Sequence, residues 1–321
     1  MLQIIILIFI VIFFAANMGG SGIAPSFAVT YCSKILKRKT AILLFGLFVV
    51  FGAVLLGRPV AKTLGSGIIP AGFINFDNAL IIIFSASLGL FVANILKIPQ
   101  STSWATVFSI VGCGLAIRQI NFGKFLLIVP FWILLPAISY VLTLLLHKII
   151  YPPKLKNLWF YEKVLGSEKF IKKISIVSSC YVAFAIGSNN VANAVGPLFA
   201  GGIIKDMTSG LLVIGSIFII GAIFTGKDTM CTIGREVVPL GIVSAAGINF
   251  ITASLLIFAS VMGIPQSLVQ LSAAPIFAIS HNKNGFYQMV FHATTKKIFI
   301  VWIISPVIAF LSSYLLTGII K

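Results

Sequence analysis

Gly187-Ser188-Asn189-Asn190-Val191-Ala192-Asn193-Ala194-Val195-Gly196-Pro197 forms a polar island in an apolar run from Ile174 to Ile204. The run is long enough to cross a bilayer. Its middle carries three asparagines, one serine, two glycines and one proline. A side-chain amide in hydrocarbon is costly unless it is paired. Two uses of these amides are open. They glue helices together through interhelical hydrogen bonds, which is common, or they serve a ligand, an ion or another broken helix.

Working outward, the chain has 321 residues, of which 59% are hydrophobic and 9% charged. Its mean hydropathy is +1.13, whereas a soluble domain carries about 25% charged residues. Long apolar runs recur from end to end without the dyad alternation of barrel strands, so the fold class is an all-α polytopic membrane protein. Met1 to Ala16 has no basic leader and no small-residue cleavage site, and reads as a retained membrane helix. The net charge of +17 does not point to nucleic acid. The Lys and Arg lie in short loops, where cytoplasmic bias and anionic lipid headgroups account for them. Cys32, Cys113, Cys180 and Cys231 are scattered and lack metal-ligand spacing. No metal site, cofactor or nucleotide-binding loop is expected.

The order of segments repeats. A first span from Leu2 to about Tyr31 is interrupted at Asn17–Gly22 and by Pro25, then followed by the basic loop Lys34–Lys39. Spans are expected at Ala41–Leu56, Ala79–Leu96 and Phe125–Leu146, with a glycine-rich connection at Gly57–Asn78 and an Ile98-Pro99-Gln100-Ser101-Thr102-Ser103 element. A Lys-rich stretch, His147–Lys173, reads as a cytoplasmic linker with a helix on the membrane surface. Then come a broken span Ile174–Ile204, a span Leu211–Phe224, a charged connection Gly226–Glu236 and a span Val243–Met262. Ile264-Pro265-Gln266-Ser267, a polar loop His281–Gln288 and a last span Ile298–Leu316 complete the order.

The halves match in sequence too. Gly52–Pro70 aligns without gaps onto Gly221–Pro239, with Gly52/Gly221, Gly57/Gly226, Thr63/Thr232 and Pro70/Pro239 identical. Ile98-Pro99-Gln100-Ser101 matches Ile264-Pro265-Gln266-Ser267, and Trp132, Ile133 and Pro136 match Trp302, Ile303 and Pro306. Asn17 pairs with Asn189, Met18 with Asn190, Ser21 with Asn193 and Pro25 with Pro197, all at offsets of 166 to 172. This order of Gly, Pro, Trp and Gln indicates duplication. The expected organisation is a first transmembrane repeat at 1–147, a basic linker at 148–173 and a second repeat at 174–321. With both basic stretches cytoplasmic, the repeats are inverted and hold about five membrane segments each, with broken or re-entrant helices at the midplane.

Breaks free backbone groups, and a half-helix N-terminus favours an anion. Four breaks converging on one site would make a neutral, donor-rich cage for a small tetrahedral anion. The candidate substrate-binding residues are Asn17 and Ser21 from the first break, and Gln100, Ser101, Thr102 and Ser103 from the second. The symmetry-related breaks add Asn189, Asn190, Asn193, Gln266 and Ser267. The bland reading of each Pro-Gln-Ser is an ordinary helix cap.

The Gly187–Ala194 stretch resembles the Gly-x-Asn-Asp-x-x-Asn-Ala signature of the inorganic phosphate transporter (PiT) family. Pro99-Gln100-Ser101-Thr102-Ser103 resembles that family's Pro-x-Ser-Thr-Thr-His element, and Gly234-Arg235-Glu236-Val237-Val238-Pro239-Leu240 its Gly-Lys-Glu-Ile-x-Pro-Leu stretch. The resemblance covers essentially the whole chain. It implies a helical transporter importing phosphate or a related oxyanion, driven by sodium or protons. The family's aspartate is Met18 in one copy and Asn190 in the other, and the histidine is absent. With these departures the pattern resembles the family's bacterial sulfate permease branch more closely.

Phosphate near neutral pH carries protons and calls for an acceptor such as a carboxylate, whereas sulfate calls only for donors. The motif positions hold no carboxylate, which favours sulfate import by proton symport, with phosphate as the alternative. Of six acids in the chain, Asp77, Asp228 and Glu236 are the coupling candidates. Arg58, Lys227 and Arg235 read as interfacial anchors or as charges that steer the anion. The expected partners are the anion, a coupling proton or sodium ion and membrane lipids, and a homodimer is compatible. A channel would conduct rather than saturate. An intramembrane enzyme would need a base beside Ser101, Ser103 or Ser267, and the sequence places none there.

Overall fold

A computed structural model of the chain describes residues 2–95, 100–151, 155–160, 162, 166–236, 241–287 and 293–320. The side chains of residues 2, 93–95, 160, 225–236, 283–284, 293–294 and 297 lie outside that description. Among the described residues every regular element is a helix. In order they are α1 (Leu2–Cys32), α2 (Arg38–Leu56) and a short α3 (Arg58–Lys62) that runs into a π-helical turn at Thr63–Gly67. Then come α4 (Phe76–Ile95), α5 (Thr102–Ala116), α6 (Phe122–Ile150) and, after a 3-10 turn, the single-turn α7 (Leu158–Phe160). The rest are α8 (Glu168–Asn190), α9 (Ala192–Ala200), α10 (Met207–Glu236), α11 (Ile242–Val261), α12 (Leu268–Asn284) and α13 (Ala293–Ile320).

Seven spans among the described residues are long and apolar enough to cross a membrane by length and composition, with α8 and α9 counted together as Glu168–Ala200. Such helices bond every backbone group within themselves, which hydrocarbon requires. Their outer faces are apolar as well: Phe9, Ile133 and Phe224 are all exposed. That is the pattern of helices solvated by lipid.

Four helices make the centre. α1 packs on α10 more extensively than any other pair, followed by α2 on α8. Both seams bring backbones into contact through glycine. A Cβ at Gly221 would stand 1.8 Å from Ala16 O, and one at Gly19 would stand 2.1 Å from Phe218 O. In the other seam a Cβ at Gly52 would meet Phe184 O at 1.9 Å, and one at Gly187 would meet Val49 O at 1.9 Å. Without an aqueous hydrophobic effect between helices, such close packing is a main source of their association.

Two helical hairpins flank this centre. α4 and α5 fold back so that Asn121 N donates to Ile68 O at 2.8 Å, which sets the far end of α5 beside the segment preceding α4. α11 starts and α12 ends against the C-terminal end of α6: Ser244 Oγ lies 3.4 Å from Tyr151 OH, and Asn282 Nδ2 2.9 Å from His147 Nδ1. The hairpin tips meet where Ser103 Oγ donates to Gln266 O at 2.9 Å. Each hairpin is gripped by a long helix from the other half of the sequence. α6 holds α12 through Trp132 Nε1 to Pro265 O (2.8 Å), Ser139 Oγ to Leu271 O (3.1 Å) and the Tyr140–His281 hydrogen bond. α13 holds the other hairpin through Ser305 Oγ to Gly89 O at 2.9 Å and through Phe310 O, which presses on Gly112.

Several expectations are corrected. The break at Asn17–Gly22 is absent, and α1 runs unbroken through Pro25. Pro25 withdraws only one backbone donor, the hydroxyls of Ser21 and Ser26 bind Met18 O and Gly22 O, and Gly19 serves the α10 seam. The charged connection Gly226–Glu236 is a continuation of α10, and α12 extends into the expected polar loop as far as Asn284. Within the linker the described residues include short helical turns at Leu155–Phe160 and the start of α8, and the rest of the expected surface helix lies outside the described residues. In those turns Asn157 Nδ2 folds back to donate to Ile149 O and Ile150 O.

The seams make a direct prediction. Gly187→Ala should lose about 1–3 kcal/mol to overpacking, read as a lower melting midpoint in detergent. Gly318→Ala, whose Cβ meets nothing within 4 Å, should leave the midpoint within a degree of the parent.

Candidate functional site

Three elements converge mid-molecule: the junction of α8 with α9 and the tips that start α5 and α12. The helix interruption falls on one residue, Val191, between Asn190 and Ala192. Ser101 caps α5, its Oγ accepting from Trp104 N at 3.1 Å, and Ser267 caps α12, accepting from Gln270 N at 3.2 Å. Both hydroxyls are therefore caps, and the positive ends of two helices reach the site. Thr102 and Ser103 join α9: Asn193 Nδ2 donates to both hydroxyls at 3.2 Å.

Asn189 has a different role from the one the sequence suggests. Its Nδ2 donates to Ser260 Oγ and to Ile264 O, each at 3.0 Å, and its Oδ1 accepts from Gln266 N at 2.9 Å. Because the partners at Ile264 and Gln266 are backbone atoms, the orientation of the amide is fixed. Asn189 therefore clamps the α11–α12 turn and has little left for a ligand. Beside it Ser188 Oγ lies 2.9 Å from Ser260 Oγ, and two further polar rungs, Asn249–Ser178 and Tyr181–Ser254, tie α8 to α11.

Other amides retain capacity. Asn190 Oδ1, Asn193 Oδ1, Gln100 Oε1, Gln270 Oε1 and both amide atoms of Gln266 are buried and have no partner among the described residues. Leaving one such group unmet costs about 1–3 kcal/mol. The site therefore offers acceptors as well as the donors expected of a donor-rich cage. Gln270 was missed by the sequence reading, although Ser267-Leu268-Val269-Gln270 has the spacing of a capping box. Ser260, in an apolar helix, left no sequence signal that could have found it.

Asn17 and Ser21, from the expected first break, bond to carbonyls of their own helix α1. Asn17 is half-buried, with Nδ2 donating to Phe13 O at 2.8 Å; Ser21 is exposed, its Oγ on Met18 O; and Met18 is fully buried in the hydrophobic core. Asp77 lies in the first turn of α4, at the opposite end of that helix from the tip. Pro99 and the side chains of Lys227, Asp228, Arg235 and Glu236 lie outside the described residues, as does His292. The Arg58 guanidinium donates to Thr208 Oγ1 near Asp206. The Ser209 N–H bond, supported by Arg58, holds the Asp206 carboxyl below its usual range. Among the described residues no trio of His, Cys, Asp or Glu is placed to hold a metal ion.

The arrangement can bind a small oxyanion with neutral groups alone: hydroxyls, amides and two helix N-termini. The Phosphate transporter family model matches residues 18–313. Sulfate permease CysP of Bacillus subtilis is 37% identical over 96% of this chain and 85% of its own length. A protein named a putative phosphate permease, from Thermococcus kodakarensis, is 24% identical over 93% of each chain. A solved structure titled the sodium-dependent phosphate transporter has the same fold. It superposes with a TM-score of 0.85 at 22% identity, covering 100% of this chain and 99% of that one. With the family model spanning nearly the whole sequence, this chain belongs to the phosphate transporter family, whose members are permeases rather than enzymes.

Proposed function

We propose that the protein is a secondary active transporter of the cytoplasmic membrane that imports sulfate by proton symport. The observation that carries the reading is a site with no charged side chain among its described residues, in a chain that is 37% identical to a sulfate permease. Sulfate offers only acceptors, and Asn and Gln amides, hydroxyls and helix N-termini supply donors without a carboxylate to repel it. Phosphate is the second reading. The unpaired amide oxygens of Asn190 and Asn193 favour it, because they would accept the proton that hydrogenphosphate carries.

The fold supports a membrane placement for this reading. The repeats, at 1–147 and 174–321 about the linker, are inverted. α1 on α10 mirrors α8 on α2, α5 on α13 mirrors α12 on α6, and the matched glycines Gly52 and Gly221 lie against the matched helices α8 and α1. The α4–α5 hairpin enters from outside and the α11–α12 hairpin from the cytoplasm, so their tips meet mid-membrane beside the substrate. The proton is carried by Asp77, Asp228 or Glu236, since the described cage residues hold no titratable group.

Three measurements test this. Proteoliposomes should take up labelled sulfate with an inward proton gradient, more slowly as external pH rises, and not at all with an uncoupler; uptake indifferent to all three overturns proton coupling. Asn190→Asp restores the family's carboxylate and should bring sodium dependence, with sulfate uptake reduced about tenfold or more by like-charge repulsion. In a cysteine-free background, Gly72→Cys and Gln119→Cys should both label from outside and Gly166→Cys from the cytoplasm. Opposite-side labelling of the first two would mean that α4 and α5 do not form a re-entrant hairpin.

A further inference from the structure

The two halves of the chain break their symmetry at the Gln100/Gln266 pair, and the break leaves both amide atoms of Gln266 without a partner among the described residues. Gln100 and Gln266 are repeat-matched, each following the proline of an Ile-Pro-Gln-Ser element. Gln100 is tied down. Its Nε2 donates to Ser305 Oγ, and Ser305 passes its own proton to Gly89 O at 2.9 Å. The register that pairs Trp132 with Trp302 and Pro136 with Pro306 sets Leu135 opposite Ser305. Leu135 is buried and has no polar atom to offer, and the next hydroxyl of α6, Ser139, is committed to Leu271 O. Gln266 is accordingly fully buried with neither Nε2 nor Oε1 partnered among the described residues.

The backbone around Gln266 is the opposite of loose. Its N–H is bound by Asn189 Oδ1, its C=O by Ser103 Oγ, and the preceding Pro265 C=O by Trp132 Nε1, all within 2.9 Å. Three separate helices thus fix the main chain of a residue whose amide has been left unmet at zero exposure. A buried amide is tolerated when something else completes it, and here the polar surroundings are two helix N-termini suited to an anion.

We propose that Gln266 is the specificity-determining residue of the site, its amide hydrogen-bonding the bound oxyanion, while its twin Gln100 is structural. This rests on the transport reading above. The Nε2 protons donate to oxyanion oxygens, and Oε1 accepts from water or from an oxyanion that carries its own proton. Asn189 acts on the anion through Gln266 and is a positioning residue.

The test compares Gln266→Leu, Gln266→Glu, Gln100→Leu and Leu135→Ser in proteoliposomes, using labelled sulfate and phosphate. Sulfate-induced thermal stabilisation of the purified protein gives a binding readout independent of transport. Loss of a hydrogen bond to a charged ligand should raise the sulfate KM about tenfold to a hundredfold in Gln266→Leu. The rise in Gln100→Leu should be smaller than in Gln266→Leu and should come with a lower melting midpoint, because the hydrogen bond to Ser305 is lost. Leu135→Ser gives Gln266 the partner that Gln100 already has, and should raise the KM with little change in maximal rate. Gln266→Glu, acceptor-only, should lose sulfate and retain the proton-bearing phosphate. A parent-like sulfate KM in Gln266→Leu, or in Leu135→Ser should the first variant not fold, overturns the proposal. A parent protein that sulfate and phosphate both stabilise without saturable uptake overturns the transport reading instead, and the same variants then report on Gln266 by thermal shift.

Discussion

A chain that turns back inside hydrocarbon must find partners for the peptide groups its helices no longer satisfy. The turn between α11 and α12 meets this demand with side chains from three other helices. The Asn189 amide spans Ile264 O and Gln266 N, Trp132 takes Pro265 O and Ser103 takes Gln266 O. The position of the turn is therefore set jointly by α8, α6 and α5. Any ligand held there rests on backbone that those helices hold in place, and the precision of the site is inherited from them.

The glycine seams supply the frame against which that precision has meaning. Backbones in direct contact at Gly19, Gly52, Gly187 and Gly221 leave α1, α2, α8 and α10 little freedom to slide, because each shift would drive a carbonyl into a neighbouring main chain. The α11–α12 hairpin is joined to this frame through polar contacts as well, the Ser188–Ser260 and Asn249–Ser178 rungs. Individual polar contacts between membrane helices contribute roughly 0.6–2 kcal/mol. They are easier to exchange than interlocked backbone.

Much of this was legible in the sequence. Hydropathy located the spans, and the spacing of Gly, Pro, Trp and Gln located the matched segments and drew attention to both Pro-Gln-Ser elements. The resemblance of Gly187–Ala194 to a family signature carried the function class. What was not legible depends on partners distant in sequence. Asn189 looked like a ligand because an amide's use is decided by which carbonyl faces it, and Ile264 is far along the chain. The glycines and Pro25 of α1 looked like a break, yet glycine in a membrane helix also permits close approach, and only α10 distinguishes the two. The charges of Gly226–Glu236 suggested a loop, but charge says where a segment meets water rather than whether it stays helical.

The grip of α6 on the α11–α12 hairpin, and of α13 on the α4–α5 hairpin, bears on how such a chain is made. As the ribosome delivers the first half, the α4–α5 hairpin enters the bilayer with Gln100 and Gly89 lacking Ser305, which lies about two hundred residues downstream. α6 waits likewise for Pro265 and Leu271. Neither half is complete by itself, and α13 closes the hairpin of the first half. Each half of the sequence therefore lends a helix, α6 or α13, to the hairpin of the other. A chain cut at its linker would recover its structure only if both pieces were present in one membrane together.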